Sequence, residues 1–513
     1  MSNSLVRVRL KRIPMVVWMS LFVVSCGSKT SKPANEPINE VKKPNIVYIL
    51  ADDMGYGDLS ALNPGSGIQT PNMDKIVEEG MHFTDAHSNS AVCTPTRYGI
   101  LTGRYAWRSR LKEGVLWGYD PPLIEEDRTT VASFLSANGY QTACIGKWHL
   151  GLGWHPENPE KPIEKYEWDR VFEKDANSNV DFSKQVSGPN TLGFDYSYII
   201  PSSLDMTPYL YLENERATEL PTAYTTGKSQ AKDGRGVFWR AGEVAPNFDF
   251  HNVLGHLTEK ATDFIGKQKT AKDPFFLYFP LTAPHTPWLP TDEVNGKSKA
   301  GRYGDFVTLV DITVGKVLQA LEQSGQAENT LIIVTSDNGS NWTPEDKQQY
   351  EHRANYIYRG QKADIYEGGH RIPFIVRWPG KIKAGSVSDQ VLCTTDLLAT
   401  LSGIVEKDLP EGAGEDSYNM LPAFTGNAQK PIRDYTVHHS LNGFFAIRKG
   451  PWKLTTSLGS GGFTKPDLIE SEQGQANATL YNLEEDPQET ENRYEENPEV
   501  IEELMALLDD ARK

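Results

Sequence analysis

Three short, uninterrupted apolar runs constrain this chain more than anything else in it: Asn45-Ile-Val-Tyr-Ile-Leu50, Pro274-Phe-Phe-Leu-Tyr-Phe279 and Thr330-Leu-Ile-Ile-Val-Thr335. A strand with one wet face alternates polar and apolar residues, so runs this continuous must be covered on both faces, as buried parallel strands are. Parallel strands need crossovers, and the intervals between the runs carry helical patterns. Thr70-Pro71 opens a helix that Gly80 closes, with Met73, Ile76 and Val77 inward, and further helices are expected at Thr130 to Ala137, Val253 to Lys267 and Gly304 to Leu321. The last of these should turn Val307, Val310, Val314 and Leu318 to the core. The predicted class is α/β, a mostly parallel central sheet flanked by helices.

Each apolar run delivers polar residues just past its end, where ligands sit in open α/β sheets. The first reaches Asp52-Asp53, the second leads to Ala283-Pro284-His285-Thr286-Pro287, and the third ends at Ser336-Asp337-Asn338-Gly339. Adjacent carboxylates beside a buried strand are costly unless paired or bound to metal. Taken alone, the Asp-Asp pair would read as a solvated turn ahead of Gly55 and Gly57. A further strand, Gly139 to Cys144, runs into a turn at Gly146 that should present Lys147 and His149 on one side, since alternate residues share a face. Three carboxylates and an amide form an oxygen-only set that suits a hard divalent cation, Ca²⁺ before Mg²⁺.

Cys93 stands at the mouth of a short helix that Thr94 can cap, with Pro95 at the first helical position and Gly103 as terminator. It would face unpaired backbone N–H groups, with Arg97 about one turn along. A lone Cys is more often a small buried hydrophobe. The soft thiolate is also a poor companion for an oxygen ligand set, which argues for an oxygen at position 93.

The pattern Cys93-x-Pro95-x-Arg97, with Thr102-Gly103 following, resembles the signature of the type I sulfatases; Thr96 departs from their commoner Ser or Ala. Gly139 to His149 resembles their second signature, G-Y-x-T-x-x-x-G-K-x-H, and Lys362 to Gly369 their K-x-x-x-Y-E-G-G. Pro201-Ser202-Ser203 resembles a segment that lines the site. The resemblance implies an alkaline-phosphatase-like fold with a small C-terminal subdomain, an antiparallel sheet carrying a helix. It implies that a maturation enzyme converts Cys93 to formylglycine (3-oxoalanine), and that one Ca²⁺ is held by Asp52, Asp53, Asp337, Asn338 and residue 93. In that scheme the hydrated aldehyde attacks sulfur with Asp337 as a candidate base, and His285 or Lys362 protonates the departing alcohol. His149 then takes the proton that regenerates the aldehyde. Arg97 and Lys147 hold the diol, while Lys147, Lys362, His285 and Ser203 meet the sulfate. The competing readings are a phosphodiesterase or phosphonate monoester hydrolase on the same scaffold, which would bring extra His ligands, and a lipoprotein that only binds sulfated glycan.

The chain ends define four expected segments. In residues 1–25, Arg7, Arg9, Lys11 and Arg12 precede the apolar run Ile13 to Ser25, an export signal. Val23-Val24-Ser25-Cys26 resembles a lipobox, so Cys26 is expected to carry lipid and anchor an exported bacterial lipoprotein to the membrane; an ordinary signal peptide is the alternative. Residues 26–43 read as a disordered tether, 44–434 as the catalytic domain and 435–513 as the C-terminal subdomain, with strands near Thr436, Phe444, Trp452 and Leu480 and a helix from Pro498 to Arg512. Losing residues 1–25 removes four positive charges and no acid, taking the net charge from −16 to −20. So negative a body is no partner for nucleic acid, and a sulfated substrate would need cationic groups concentrated in the site. Cys144 and Cys393 are expected as packed thiols, a single bridge being the other possibility. Residues 153 to 250 read as loops and short strands around the site's mouth. Gly114 to Tyr119 resembles bacterial sulfatases acting on 6-sulfated galactose or N-acetylgalactosamine. Trp117, Tyr119, Trp154, His155 and Trp288 are expected either to stack on sugar rings or to pack.

Overall fold

The first apolar run forms the middle of the sheet, buried over its whole length as Asn45–Ala51, with Phe275–Pro280 on one side and Thr330–Ser336 on the other, both parallel to it. The computed structural model describes Met15 and residues 42–163, 178–472 and 476–513. The signal segment and the lipidation expected at Cys26 lie outside the described residues, apart from Met15. In space the strands run Ser386–Ser388, Met81–Phe83, Phe374–Arg377, Thr330–Ser336, Asn45–Ala51, Phe275–Pro280, Gln141–Lys147, Tyr196–Ile200, Leu212–Glu213 and Arg216–Ala217. The five from Thr330–Ser336 to Tyr196–Ile200 are mutually parallel, so their carboxyl ends open on one edge. Phe374–Arg377 adds antiparallel to Thr330–Ser336, as Leu212–Glu213 does to Tyr196–Ile200.

Among the loops and short strands expected over residues 153 to 250, Tyr196–Ile200 is a member of the parallel core rather than a strand at the site's mouth. Its sequence, Tyr-Ser-Tyr-Ile-Ile, lacks the continuous apolar signature because Ser197 stands within it, buried, its hydroxyl bonded to Asn190 Oδ1 at 2.6 Å. The long helix is Gly301–Ser324, and Val317 and Leu321 complete its buried face while Leu318 is half-buried. Helices Pro71–Glu79, Val253–Lys267 and Gly301–Ser324 pack as one group, and Cys93–Thr102, Val131–Ala137 and Leu397–Val405 as another. Cys144 and Cys393 are free buried thiols.

Gly146 is a point of close approach beneath the site. Its φ is +135°, and a Cβ there would stand 1.9 Å from the Pro280 carbonyl oxygen. Only glycine lets the two strands close at this level.

The four-stranded antiparallel sheet Thr436–His439, Phe445–Lys449, Trp452–Thr455 and Thr479–Asn482 packs Val437, Ile447, Leu454 and Leu480 against Leu504 and Leu508 of the helix Pro498–Ala511, with Tyr105 and Trp107 contributed from the larger part of the chain. Buried charge completes this junction. His87 bonds Asp85 at 2.8 Å and His370 at 3.0 Å, His438 bonds the Ser88 carbonyl at 2.9 Å, and Lys453 reaches His370, Glu367 and Glu489. Arg371 and Arg448 also close on Asp85. The His370 and His438 rings stack at 4.0 Å and 8°. Lone pairs in parallel planes cannot meet at one ion, so this trio is a packing and hydrogen-bond unit rather than a metal centre.

Gly146→Ala is expected to cost about 3 kcal/mol or more, and an unchanged denaturant midpoint would contradict the close approach. A second expectation concerns pH. Burial pushes His87 down to about 4, and burial likewise holds His370 and His438 well below the ordinary 6.5. Below 6.5 the unfolded chain takes up protons that the folded chain refuses, so stability falls as pH drops from 6.5 toward 4, by on the order of 1 kcal/mol per pH unit. Asp85 and Glu367, held below the usual carboxylate range, lose their contribution only at lower pH. A melting temperature that stays flat across this window, or a slope that His438→Phe leaves untouched, would count against the network.

Candidate active site

Neighbouring strand ends are locked together by backbone. Asp52 N donates to Ala283 O at 3.0 Å and Asp337 N to Ala51 O at 3.1 Å. Asp53 N donates to Asp337 Oδ1 at 3.1 Å, with Asp53 itself at φ +71°. Three carboxylates are thereby buried within reach of one another. Cys93 is the first residue of the helix Cys93–Thr102 and meets them: Cys93, Asp52 and Asp337 offer ligand atoms within 4.8 Å of one another, as do Cys93, Asp53 and His285. The helix begins earlier than its sequence suggests. Its cap is Val92, while the Thr94 hydroxyl accepts from Leu116 N at 3.2 Å. Gly103 ends it in the left-handed conformation, as expected.

Cations interleave these acids. Arg97 donates to Asp337 Oδ2 at 2.7 Å and to the Lys147 carbonyl at 3.0 Å, and lies 3.3 Å from Asp52. Lys147 spans both oxygens of Asp52 at 2.8 and 2.9 Å and reaches Ser203 Oγ at 3.2 Å. Lys362 pairs with Asp53 at 2.7 Å. His285 stands 3.7 Å from Asp53, donates from Nδ1 to the Thr286 carbonyl at 2.6 Å, and lies 3.3 Å from Ser203 Oγ. All the residues named from the sequence converge here, but two arrive differently. Lys362 comes not from a strand end but from a loop pinned between Ser340 O and Ala91 O, with Ala363 at φ +77°. His149 lies beyond its strand at φ +58°, so a turn rather than strand alternation brings it beside Lys147.

Burial sets the protonation of this cluster. It pushes the Cys93 thiol up to about 11 despite Lys147 and Lys362. Burial, reinforced by Asp52, pushes Asp337 up to about 7, while Asp52 is held well below the usual range because Lys147, His285 and Arg97 outweigh its desolvation. Burial, then Lys147 and Arg97, keep His149 neutral. Its Nε2 donates to Leu116 O at 2.8 Å, which leaves Nδ1 with a bare lone pair and no hydrogen-bond partner among the described residues.

The residues present fit a hard cation. Asn338 Nδ2 donates to Asp53 at 2.7 Å, yet its Oδ1 is buried with no donor among the described residues. An orphaned amide oxygen beside three carboxylates is the chemistry a cation satisfies.

The aromatics expected around the mouth are mostly packed. Tyr119 and Trp154 are buried, with Trp154 Nε1 bonded to Gly118 O, and Trp288 is buried between Arg235 and Tyr303. Trp117 is half-buried beneath Arg240, and only His155 is exposed. Sequence reasoning missed the buried pair Asp205 and Arg240, whose acid lies 4.0 Å from His285. The one signal available was that Asp205 falls two residues after Ser203.

Known proteins resemble this chain in sequence and fold. Residues 44–406 match the sulfatase family model, and residues 359–513 the C-terminal model of N-sulphoglucosamine sulphohydrolase. The chain is 32% identical to the N-acetylgalactosamine-6-O-sulfatase of Bacteroides thetaiotaomicron over 98% of both chains, and 30% identical to human arylsulfatase A over 80% of this chain and 74% of that one. A solved structure from work on the metabolism of multiple glycosaminoglycans by Bacteroides thetaiotaomicron superposes with a TM-score of 0.78 at 31% identity, covering 92% of this chain and 99% of that one. A sulfatase from Pseudoalteromonas sp. gives 0.69 at 25% identity over 91% and 90%. Matching over nearly its whole length, the chain belongs to the sulfatase family and is a sulfuric ester hydrolase.

Proposed function

We propose that this enzyme removes sulfate from a sulfated carbohydrate, with residue 93 acting as formylglycine and one Ca²⁺ held by Asp52, Asp53, Asp337 and Asn338. The observation that carries the reading is the position of Cys93: a thiol too buried to ionise readily stands within 4.8 Å of a carboxylate oxygen of each of three clustered acids. When present, the hydrated aldehyde supplies an oxygen nucleophile for the ester sulfur, and the cation supplies Lewis acidity beside it. Asp52, Asp53 and Asp337 are balanced by Arg97, Lys147 and Lys362, so a bound divalent cation leaves the pocket net positive. That is the local attraction a sulfate ester needs on so acidic a protein.

The chain's own groups divide the remaining work. Arg97 stays on Asp337 and orients the helix start. Lys147 and Lys362 neutralise sulfate oxygens, with Ser203 and His285 completing the cradle. His149, neutral and tautomerically fixed, takes a proton at Nδ1 as the aldehyde is restored. Lys362 or His285 gives a proton to the departing alcohol oxygen.

For the substrate we propose a 6-O-sulfated N-acetylgalactosamine or galactose unit of a polysaccharide, the galactose alternative resting on the Gly114 to Tyr119 stretch alone. The name of the Bacteroides thetaiotaomicron relative and the glycosaminoglycan setting of the structural match support this. We propose further that the protein is an exported lipoprotein acylated at Cys26, on the strength of the basic and apolar leader ending in Val23-Val24-Ser25-Cys26, and that a formylglycine-generating enzyme matures it, on the strength of the Cys93-x-Pro95-x-Arg97 motif.

Protein from its native host should yield a tryptic peptide 76–97 in which the Cys93 side chain has lost its sulfur and carries an aldehyde; an intact thiol mass would refute the nucleophile. Calcium chelation should lower both the melting temperature and turnover, with recovery on adding calcium back, and indifference of both would remove the cation from the account. Lys362→Ala should cut kcat on an aryl sulfate by about 10²–10³-fold, and a change confined to KM would deny it a role in the transition state.

A further inference from the structure

We propose that Asp205 determines specificity by accepting a hydrogen bond from a free sugar hydroxyl beside the sulfate ester, a proposal that rests on the carbohydrate reading above. Asp205 lies in the loop that leaves Tyr196–Ile200 and is 5% exposed. Its Oδ2 is committed to Arg240 Nη1 at 2.5 Å. Its backbone carbonyl takes Arg240 N at 3.0 Å, Arg240 Nη1 at 3.2 Å and Tyr209 OH at 3.1 Å. The Arg240 guanidinium is itself clamped 4.9 Å over the rings of Trp117 and Phe238. So many attachments hold the carboxylate in one orientation.

Its other oxygen is not used by the fold. Oδ1 is buried and receives no donor among the described residues, although it stands 4.0 Å from His285 Nδ1. That imidazole cannot satisfy it, because its Nδ1 proton goes to Thr286 O at 2.6 Å. His285 is also 3.7 Å from Asp53, which places Oδ1 one side chain away from the cluster of acids around Cys93. A rigid, buried carboxylate oxygen without a donor, next to a reaction site, is an acceptor kept for a ligand. Its negative charge selects an O–H donor and disfavours a second sulfate or a uronate carboxylate at that place. The substrate class is therefore a sugar sulfated at one position and free at the hydroxyl that reaches Asp205.

The test uses the full, matured chain and three substrates: a sulfated monosaccharide that it cleaves, the monodeoxy analogues of that sugar, and an aryl sulfate with no hydroxyl groups. Asp205→Asn preserves shape and can still present an oxygen to Arg240, but it turns the free acceptor into an N–H donor. Expected is a fall in kcat/KM of at least about 10²-fold on the sugar, with less than about 3-fold change on the aryl sulfate. One monodeoxy analogue should lose a similar factor with the wild-type enzyme and be indifferent to Asp205→Asn. That wild-type comparison also stands if the variant fails to fold. Equal losses on sugar and aryl sulfate, a shifted pH–rate profile, or wild-type indifference to every deoxy analogue would overturn the role of Asp205 alone. Aryl sulfate cleavage without turnover of any sulfated sugar would overturn the carbohydrate reading and this proposal together, leaving the sulfatase assignment intact.

Discussion

Everything in this molecule depends on keeping three carboxylates buried side by side. Asp52 and Asp337 have no solvent exposure and Asp53 almost none. Removing an ion from water costs several kcal/mol even after relaxation, and like charges add to that. The fold answers with Arg97, Lys147 and Lys362, each contributed by a different element and each nearly as buried as its partner. No single strand or helix could assemble such a lattice of alternating charge. The parallel sheet can, because its register brings Asp52 and Asp337 to the same level and lets backbone amides hold them there.

The surrounding structure bears the strain of this arrangement. Asp53, His149 and Ala363 all adopt left-handed backbone conformations, each costing about 1–3 kcal/mol for a non-glycine residue. All three lie in or next to the buried cluster of acids and cations, as Asp53, as the neighbour of Lys362, and as the residue two beyond Lys147. Such turns persist only where packing over-determines them, and here it does. Gly146 lets two strands close beneath the site, and the Lys362 loop is held both by Ala91 beside the Cys93 helix and, through Ala363 O, by Leu441 of the C-terminal region. The antiparallel sheet thus supports the site as well as its own core. The ion and imidazole network around Asp85, Glu367 and Lys453 fastens it to the strand and short helix on either side.

Much of this was legible residue by residue. The continuous runs at Asn45, Phe275 and Thr330 announced buried parallel strands, and the polar residues just past them announced the site. Cys93, Lys147 and Lys362 stood in local patterns dense enough to identify. Tyr196–Ile200 did not, because its buried Ser197 interrupts the apolar run and finds its partner, Asn190, only in the fold. The aromatics stayed ambiguous for a related reason: whether Trp154 or Trp288 faces a ligand or a neighbour depends on which loops fold over it, and composition carries no such information. Asp205 was invisible, since an acid in a loop is ordinary until its partner Arg240, distant along the chain, is brought against it.

The sequence by itself determined the class of sheet and which side chains gather beyond its strand ends, because these depend on local apolar runs and on motifs only a few residues long. Only the tertiary structure decided which cation balances which acid, the tautomer of His149, the start of the Cys93 helix at Val92, and the unsatisfied oxygen of Asp205. Those are properties of side chains that meet across large separations along the chain, where hydrogen-bond geometry and desolvation choose among partners that the sequence leaves equivalent.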